Sequence, residues 1–427
     1  MIAFSKFVEV CSLLLAACYS YQTVYMIVAL LPAKWFNKRS NSPFSAPELH
    51  SFAVLIAARN EESVLPELIR TINSQTYPAE HVKIFVIADN CTDGTAAAAR
   101  RAGAVVYERQ NCAQIGKGHA INSLLTSIKE EFSWANFDAY LVIDADNLLE
   151  PDFIEQMNVT FSEGHDIITS YRNTKNYGPG WIAACNSLWF IREAKYLNIA
   201  RKRLHTSCAV SGTGFLFSQR LLCEMGGWHF NCLTEDIEFI SWAVANGYSA
   251  TICEKAVLYD EQPTKFLQSW RQRKRWARGA MQVMRSQGGG LVRAVFKKHS
   301  FAAFDMLMAT FPIVLFSNFI VCINIVALVF ALFYLDYSVI EFMQTVGWAL
   351  ISGGLIFFLM GFFATITEWK KIRANPFIKI LTVFTFPLFM LSYTPITFAA
   401  ILSKTEWKPI VHNQCKTLEE VSEKKGA

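Results

Sequence analysis

FAVLIAARNEE, residues Phe52–Glu62, is a run of apolar side chains that ends abruptly in Arg59-Asn60-Glu61-Glu62. A continuous apolar run of this length, followed by a helical pattern through Ile72, predicts a strand buried on both faces that feeds a helix. Val82–Ala88 repeats the arrangement and runs into Asp89-Asn90-Cys91-Thr92-Asp93-Gly94-Thr95 and an Ala-rich helix. Ala104–Tyr107 reads as a third strand, Lys117–Glu131 as a third helix, and Ala139–Ile143 as a fourth strand ending in Asp144-Ala145-Asp146. This alternation predicts an α/β class, doubly wound domain with a mainly parallel sheet. In such sheets ligands sit beyond the carboxyl ends of the strands, where the acidic clusters lie. No G-x-G-x-x-G follows the first strand and no Walker-type phosphate loop is present, so an ordinary dinucleotide fold is excluded.

Outside residues 51–286 the texture is different. The 427 residues are 52% hydrophobic and 18% charged, with 34 Phe, against roughly 25% charged in an ordinary globular domain. Mean hydropathy is +0.24. Residues 8–32 carry no Lys or Arg and can cross a hydrocarbon layer of about 30 Å. Without a charged leader region or a small-residue cleavage site, they read as an anchor rather than a signal peptide. Lys34, Lys38 and Arg39 follow, which sets the next domain on the cytoplasmic side. Phe301–Leu335, Val346–Thr367 and Ile380–Ser403 are again almost free of charge. Four spans are expected, with five if Phe301–Leu335 forms a hairpin.

Between these parts Gln262–Lys298 is basic, with Phe266, Leu267, Trp270, Trp276, Met281 and Val283 interspersed. This pattern predicts a helix lying in the headgroup plane, with Gly288–Gly290 as a flexible joint. The divisions expected are therefore an anchor and linker (1–50), the α/β domain (51–262), interfacial helices (263–300), membrane helices (301–404) and a tail (405–427). The net charge of +5 forms no basic stripe with aromatics, so nucleic acid is not an expected partner; a lipid bilayer is. The eleven Cys include no C-x-x-C pair, which excludes a zinc ribbon and signals no disulfide framework.

Several short strings can carry chemistry. Asp144 and Asp146, two residues apart off a strand end, can share one hard divalent cation; a turn or helix cap before Pro151 is the competing reading. Asp89 could hold a ribose hydroxyl or the imide NH of a pyrimidine, whereas Asp93 reads as an Asx turn. Gly116-Lys117-Gly118 opens a helix, which suits close backbone approach to an anion. Thr234-Glu235-Asp236 is on its own an ordinary helix start. In Gln272-Arg273-Lys274-Arg275-Trp276, Arg suits phosphate and Trp offers a flat face to a sugar ring; lipid headgroups would be an alternative ligand.

The ordered set of strings resembles the family-two membrane glycosyltransferases, the cellulose, chitin, hyaluronan and poly-N-acetylglucosamine synthases. It comprises Ala58-Arg59-Asn60-Glu61, Asp89, Gly116-Lys117-Gly118, Asp144-x-Asp146, Ser211-Gly212-Thr213-Gly214, Thr234-Glu235-Asp236 and Gln272-x-x-Arg275-Trp276. The likeness covers Phe52 to Arg278, and Q-x-x-R-W points to the processive branch, although lipid glucosyltransferases carry relatives of it.

The resemblance implies a cytoplasmic nucleotide-sugar domain of GT-A type inserted between transmembrane helices in the plasma membrane. It implies that Glu61, Asp89, Lys117 and Asp144 bind the nucleotide of a UDP-sugar. Asp144 and Asp146 would hold Mg²⁺ or Mn²⁺, and Asp236, next to Glu235, would be the catalytic base. Gly212 and Thr213 would border the acceptor, Gln272 and Arg275 would line the diphosphate site, and Trp276 would stack on the acceptor sugar. The activity implied is inverting, processive synthesis and export of a β-linked polysaccharide, with single addition to a membrane lipid acceptor as the alternative. Many relatives have two adjacent acids at Asp89-Asn90, so only Asp89 carries over. The 23 residues after Lys404 leave no room for the cyclic-dinucleotide barrel of some cellulose synthases, and that control is not expected.

Overall fold

The computed structural model describes residues 2–36, 47–310, 338–403 and 416–422, with six further positions between 325 and 333. After a first helix, α1 (Ile2–Leu30), the chain lays down β1 (Phe52–Ala58), α2 (Leu65–Asn73), β2 (Val82–Asp89), α3 (Thr95–Arg101), β3 (Val105–Arg109), α4 (Lys117–Phe132) and β4 (Ala139–Asp144). These four strands run parallel in the order β3-β2-β1-β4. Their apolar side chains are covered by helices on both faces, as uninterrupted apolar runs require. Register places Ala58 beside Ala88 and Ala57 beside Asp144, so the strand ends and their acids are level.

The second half departs from a mainly parallel sheet. It contains β5 (Leu148–Leu149), α5 (Phe153–Phe161), β6 (Ile167–Thr174), α6 (Trp181–Arg192), a π-helical turn (Glu193–Asn198), α7 (Ile199–Arg203), β7 (Phe215–Ser218), α8 (Gln219–Met225), α9 (Glu235–Asn246) and β8 (Ala250–Asp260). The eight-stranded order is β3-β2-β1-β4-β7-β6-β8-β5, with β7 antiparallel to both β4 and β6 and β5 antiparallel to β8. The turn before β7 makes this possible. Gly214 sits at φ +66°, and a Cβ there would lie 2.1 Å from the Leu258 side chain and 2.3 Å from Ser170 Oγ. Only glycine lets the chain double back between β4 and β6.

One core joins α4 and α9 to the sheet through Leu124, Ile128, Phe215, Trp228 and Phe239. The other joins α2 and α5 through Leu68, Ile69, Phe153 and Met157. A third cluster lies away from the sheet: Tyr25 and Val28 of α1 pack with Cys185, Leu188 and Ile191 of α6 and with Ala364, Phe386 and Phe389. Thus α6 is the element that seats the α/β domain on the apolar helices.

The next helix, α10 (Phe266–Lys298), is continuous for 33 residues. Gly288–Gly290 lies inside it and forms no joint. A Cβ on Gly290 would come within 3.2 Å of Ala245 Cβ, so a small residue there lets α10 pack closely on α9. Phe266, Leu267 and Phe296 of α10 are exposed. The expected spans fall on α1, on Val339–Thr367 and on the helix pair Pro376–Leu391 and Tyr393–Leu402. Of the Phe301–Leu335 span, Phe301–Thr310 (α11) is helical, and nearly all the rest lies outside the described residues. Among the described residues one stretch, Pro376–Leu402, is long and apolar enough to cross a membrane.

Asp305 in α11 is fully paired. It accepts from Arg201 at 2.7 and 3.0 Å and from the Tyr21 and Tyr25 hydroxyls at 2.8 Å each. One buried carboxylate thereby ties α1, α7 and α11 together, and the desolvation cost of burying it is offset by four donors. Of the expected tail, the described part is a short helix, Leu418–Ser422, with Val421 packed on Leu148 and Tyr259 and Glu419 paired to Arg70 at 2.9 Å.

Candidate functional site

At the carboxyl ends of β1, β2 and β4 the loops are tied together by their polar side chains. Asn60 adopts φ 58° and its side-chain Oδ1 accepts from Thr92 N at 2.8 Å, while Glu61 N donates to Thr95 Oγ1 at 2.9 Å. Asp93 Oδ1 accepts from Thr95 N at 3.1 Å and holds the turn, which is the Asx-type role expected of it. Asp89 is 5% exposed and accepts from Arg109 and from Asn90 Nδ2.

Asp144 closes β4. Its backbone N donates to Thr213 Oγ1 at 2.8 Å, and Thr213 donates onward to Asn147 Oδ1 at 2.6 Å. Thr213 therefore stands behind the acidic pair and is absent from the cavity wall; it positions Asp144 instead of bordering an acceptor. Asp146 accepts from Glu261 N at 3.1 Å and from Asn147 Nδ2 at 3.2 Å. Lys117, at the start of α4, donates to Asp144 and to Gly212 O at 2.7 Å, and lies 3.9 Å from Glu235. Gly116 before it has φ +143°. At Gly118 a Cβ would fall 1.9 Å from Phe230 O, so that glycine serves the docking of α4 on the chain before α9. Burial works against the Lys117 charge, but Asp144, Glu235 and Asp236 outweigh it and raise its pKa.

Thr234-Glu235-Asp236 is more than a helix start. The Thr234 hydroxyl is buried and makes no capping bond. Asp236 accepts from the backbone N–H of Gly212, which fixes one oxygen. Burial raises the pKa of Asp236, opposed by that N–H and by Lys117. Glu235 is pushed up to about 7, first by burial and then by the charge of Asp236. Two adjacent buried acids held by one lysine, both with raised pKa, are what a proton-transfer site requires.

Sequence reasoning missed three neighbours. Asp260 ends β8 as Asp89 and Asp144 end their strands, and it is paired to Arg172. Its Oδ1 is buried without a partner, and burial raises its pKa against the pull of Arg172. The strand-end acid was a legible signal; Arg172, in mid-sheet, was not. Phe190 of α6 was also missed. It carries the Arg172 guanidinium over its ring at 3.7 Å and meets the Trp276 ring edge-on at 5.7 Å.

Most of these groups face one cavity of about 940 Å³. The strand ends, their loops and the start of α4 line it with Glu61, Asp89, Lys117, Asp144, Asp146 and Gly212, and α9 and α10 add Glu235, Asp236, Gln272, Arg275 and Trp276. The apolar helices line it with Met306, Ala309, Ile356, Phe357, Met360, Met390 and Leu391, with Tyr19, Gln22, Thr310, Tyr393, Thr394 and Thr397 among them.

Asp144 and Asp146 offer oxygen ligands at the end of β4, and the charge of Asp146 reaches Asp260. This donor set fits Mg²⁺ or Mn²⁺. Among the described residues no three acidic, His or Cys side chains converge as a metal cluster, so the remaining ligands would come from phosphate or water.

Comparisons with known proteins bear on the family and the fold. The family model "Glycosyltransferase like family 2" matches residues 47–279. The probable glycosyltransferase YdaM of Bacillus subtilis is 26% identical over 79% of this chain and 80% of its own length. A beta-monoglucosyldiacylglycerol synthase of Nostoc is 26% identical over 54% of this chain, which spans about half of that relative (49%). A poly-beta-1,6-N-acetyl-D-glucosamine synthase of Staphylococcus epidermidis is 23% identical over 62% of this chain and 64% of its own length. Among solved structures, the mannosyltransferase PcManGT of Pyrobaculum calidifontis, in complex with GDP-Man and Mn²⁺, superposes with a TM-score of 0.58. It covers 92% of this chain and 98% of its own at 16% identity, a likeness of fold.

Proposed function

The chain belongs to glycosyltransferase family 2, and on that premise we propose that it is a membrane-bound, inverting, metal-dependent transferase that moves one sugar from a UDP-sugar to a lipid acceptor. The observation that carries this reading is the single cavity, acidic at one end and lined by Met, Ile, Leu and Phe side chains of the apolar helices at the other. A hydroxyl on a lipid headgroup can reach Asp236 while its chains stay among those side chains.

In this reading Asp89, with Glu61, holds the nucleoside. Asp144 and Asp146 hold Mg²⁺ or Mn²⁺ with Asp144 also on the nucleotide side, and the ion supplies Lewis-acid stabilisation of the diphosphate as charge develops there. Lys117 and Arg275 add fixed positive charge to the same leaving group. The Gly212 N–H keeps Asp236 aimed, and its raised pKa makes it a stronger base toward the attacking hydroxyl. Gln272, whose Oε1 is buried without a partner, is poised for a donor hydroxyl. The domain divisions at 51–262, 263–300 and 301–404 then separate chemistry, interface and membrane. The spans hold the catalytic domain on the cytoplasmic face of the plasma membrane.

Processive polysaccharide synthesis is the second reading. It is favoured by Trp276 and Phe190, paired aromatic rings at the waist of the cavity that suit successive sugar units. Product analysis separates the two. Purified protein in proteoliposomes receives Mn²⁺ with labelled UDP-glucose or UDP-N-acetylglucosamine. A short, organic-extractable product supports the lipid acceptor; a high-molecular-weight product overturns it in favour of the polymer.

A further inference from the structure

Arg192 ends α6 on the membrane side of the same cavity. Its side chain is 8% exposed and lines the cavity wall. Of the other cations there, Lys117 is paired to Asp144, Arg172 to Asp260 and Arg201 to Asp305, while Arg275 is the one assigned above to the diphosphate. Arg192 has no ion pair among the described residues; its guanidinium lies over the Trp189 ring, 4.8 Å from the centroid. The neighbouring Glu193 accepts the Ser211 hydroxyl instead. Burial lowers the Arg192 pKa to about 10 despite the Glu193 charge.

The other titratable groups that act on it are Arg201, Tyr21 and Tyr393, which belong to the apolar end, not to the acids at the strand ends. The π-helical turn starts at the very next residue, and such turns are frequent at functional sites. Burying a cation that makes no ion pair is costly, and the Glu193 charge offsets only part of that cost, so an anion is the natural occupant of this spot. Trp189, over which Arg192 lies, meets Tyr393 of the apolar helices at 5.9 Å, so an anion that reaches Arg192 from their side has to be attached to an apolar body.

We propose that Arg192 binds the phosphate of the acceptor, which is therefore a phosphate-bearing lipid and not a neutral one. The planar fork of Arg matches phosphate oxygens, and Trp189 beneath it keeps the guanidinium turned to the cavity. This rests on the lipid-acceptor reading above.

The test uses the full chain in detergent, with binding of three probes measured by calorimetry: dioctanoyl phosphatidylglycerol, dioctanoylglycerol and inorganic phosphate. The wild type is expected to bind phosphatidylglycerol, which carries both a phosphate and a headgroup hydroxyl, about 10- to 100-fold more tightly than dioctanoylglycerol, the range for a charge-assisted hydrogen bond. Inorganic phosphate is expected to bind far more weakly than phosphatidylglycerol. Arg192→Gln should lose the preference while still binding dioctanoylglycerol, and Arg192→Lys should keep part of it. UDP binding and melting temperature report that each variant is folded; if Arg192→Gln is not, Arg192→Lys decides by a reduced preference.

An unchanged preference in the folded variant overturns the proposal, as does wild type that binds both lipids equally. Inorganic phosphate binding as tight as phosphatidylglycerol assigns the site to free anion and also overturns it. Wild type that binds neither lipid refutes the lipid-acceptor reading itself.

Discussion

Gly279→Ala probes how α10 is coupled to the proton-transfer site. Gly279 faces Thr234, and a Cβ on it would lie 2.5 Å from Thr234 Oγ1, 2.6 Å from Cγ2 and 3.0 Å from Cβ. The closest of these is about 1 Å inside ordinary contact. Thr234 is β-branched and stiff, and it is rooted beside Glu235 and Asp236, so helix and loop must part by a comparable distance. Gln272, Arg275 and Trp276 precede Gly279 by seven, four and three residues and share its helix face. All three therefore move relative to Asp236.

For stability the effects oppose one another: alanine gains about 1 kcal/mol of helix propensity, and overpacking costs about 1–3 kcal/mol. The melting temperature should fall slightly. Turnover should fall about 100-fold, the scale for a 1 Å misplacement of catalytic groups. The assay is sugar transfer by the detergent-purified protein, with UDP binding and melting curves as controls. Thr234→Ala in the same chain removes Oγ1 and Cγ2 and should restore most of the lost turnover. Wild-type turnover in Gly279→Ala, or no rescue in the double variant, would refute the coupling.

Glu235, raised from 4.5 to about 7, binds a proton in the folded protein that the unfolded chain has already lost. Its contribution to stability therefore declines as pH rises from about 4.5 through 7; Glu235→Gln should raise the melting temperature relative to wild type more at pH 8 than at pH 5. Asp305→Ala leaves Arg201 buried and unpaired, which costs about 3–5 kcal/mol. Thermal unfolding in detergent should show a large drop, and the double variant Arg201→Met with Asp305→Leu a smaller one. Chelation with EDTA should abolish transfer and Mn²⁺ restore it, whereas Asp146→Asn should require far more Mn²⁺ for the same rate.

The parallel half of the sheet is legible in the apolar runs at 52–58, 82–88 and 139–143, because strands buried on both faces leave no polar alternation to confuse with helix. Their terminal acids are legible for the same reason: a charge that ends such a run marks the sheet edge. The antiparallel half is not. Four-residue β7 is too short to carry a period, and its direction depends on the Gly212–Gly214 turn fitting against Leu258 and Ser170. Thr213 reads as part of a glycine-rich acceptor loop, but backbone direction turns its hydroxyl to Asp144 N. Gly288–Gly290 reads as a joint, because sequence does not reveal that α9 lies against α10. Arg192 is silent in sequence; that it makes no ion pair among the described residues is visible only once α1, α6 and the apolar helices are assembled.

The central claim is that transfer occurs at Asp236 within this one cavity. Calorimetric titration of UDP with Mn²⁺ into Asp236→Asn, run beside a transfer assay on the same preparation, tests it directly. Unchanged UDP affinity with transfer reduced about 10²- to 10⁴-fold is the predicted result. Transfer within a few-fold of wild type would contradict it and move the base elsewhere.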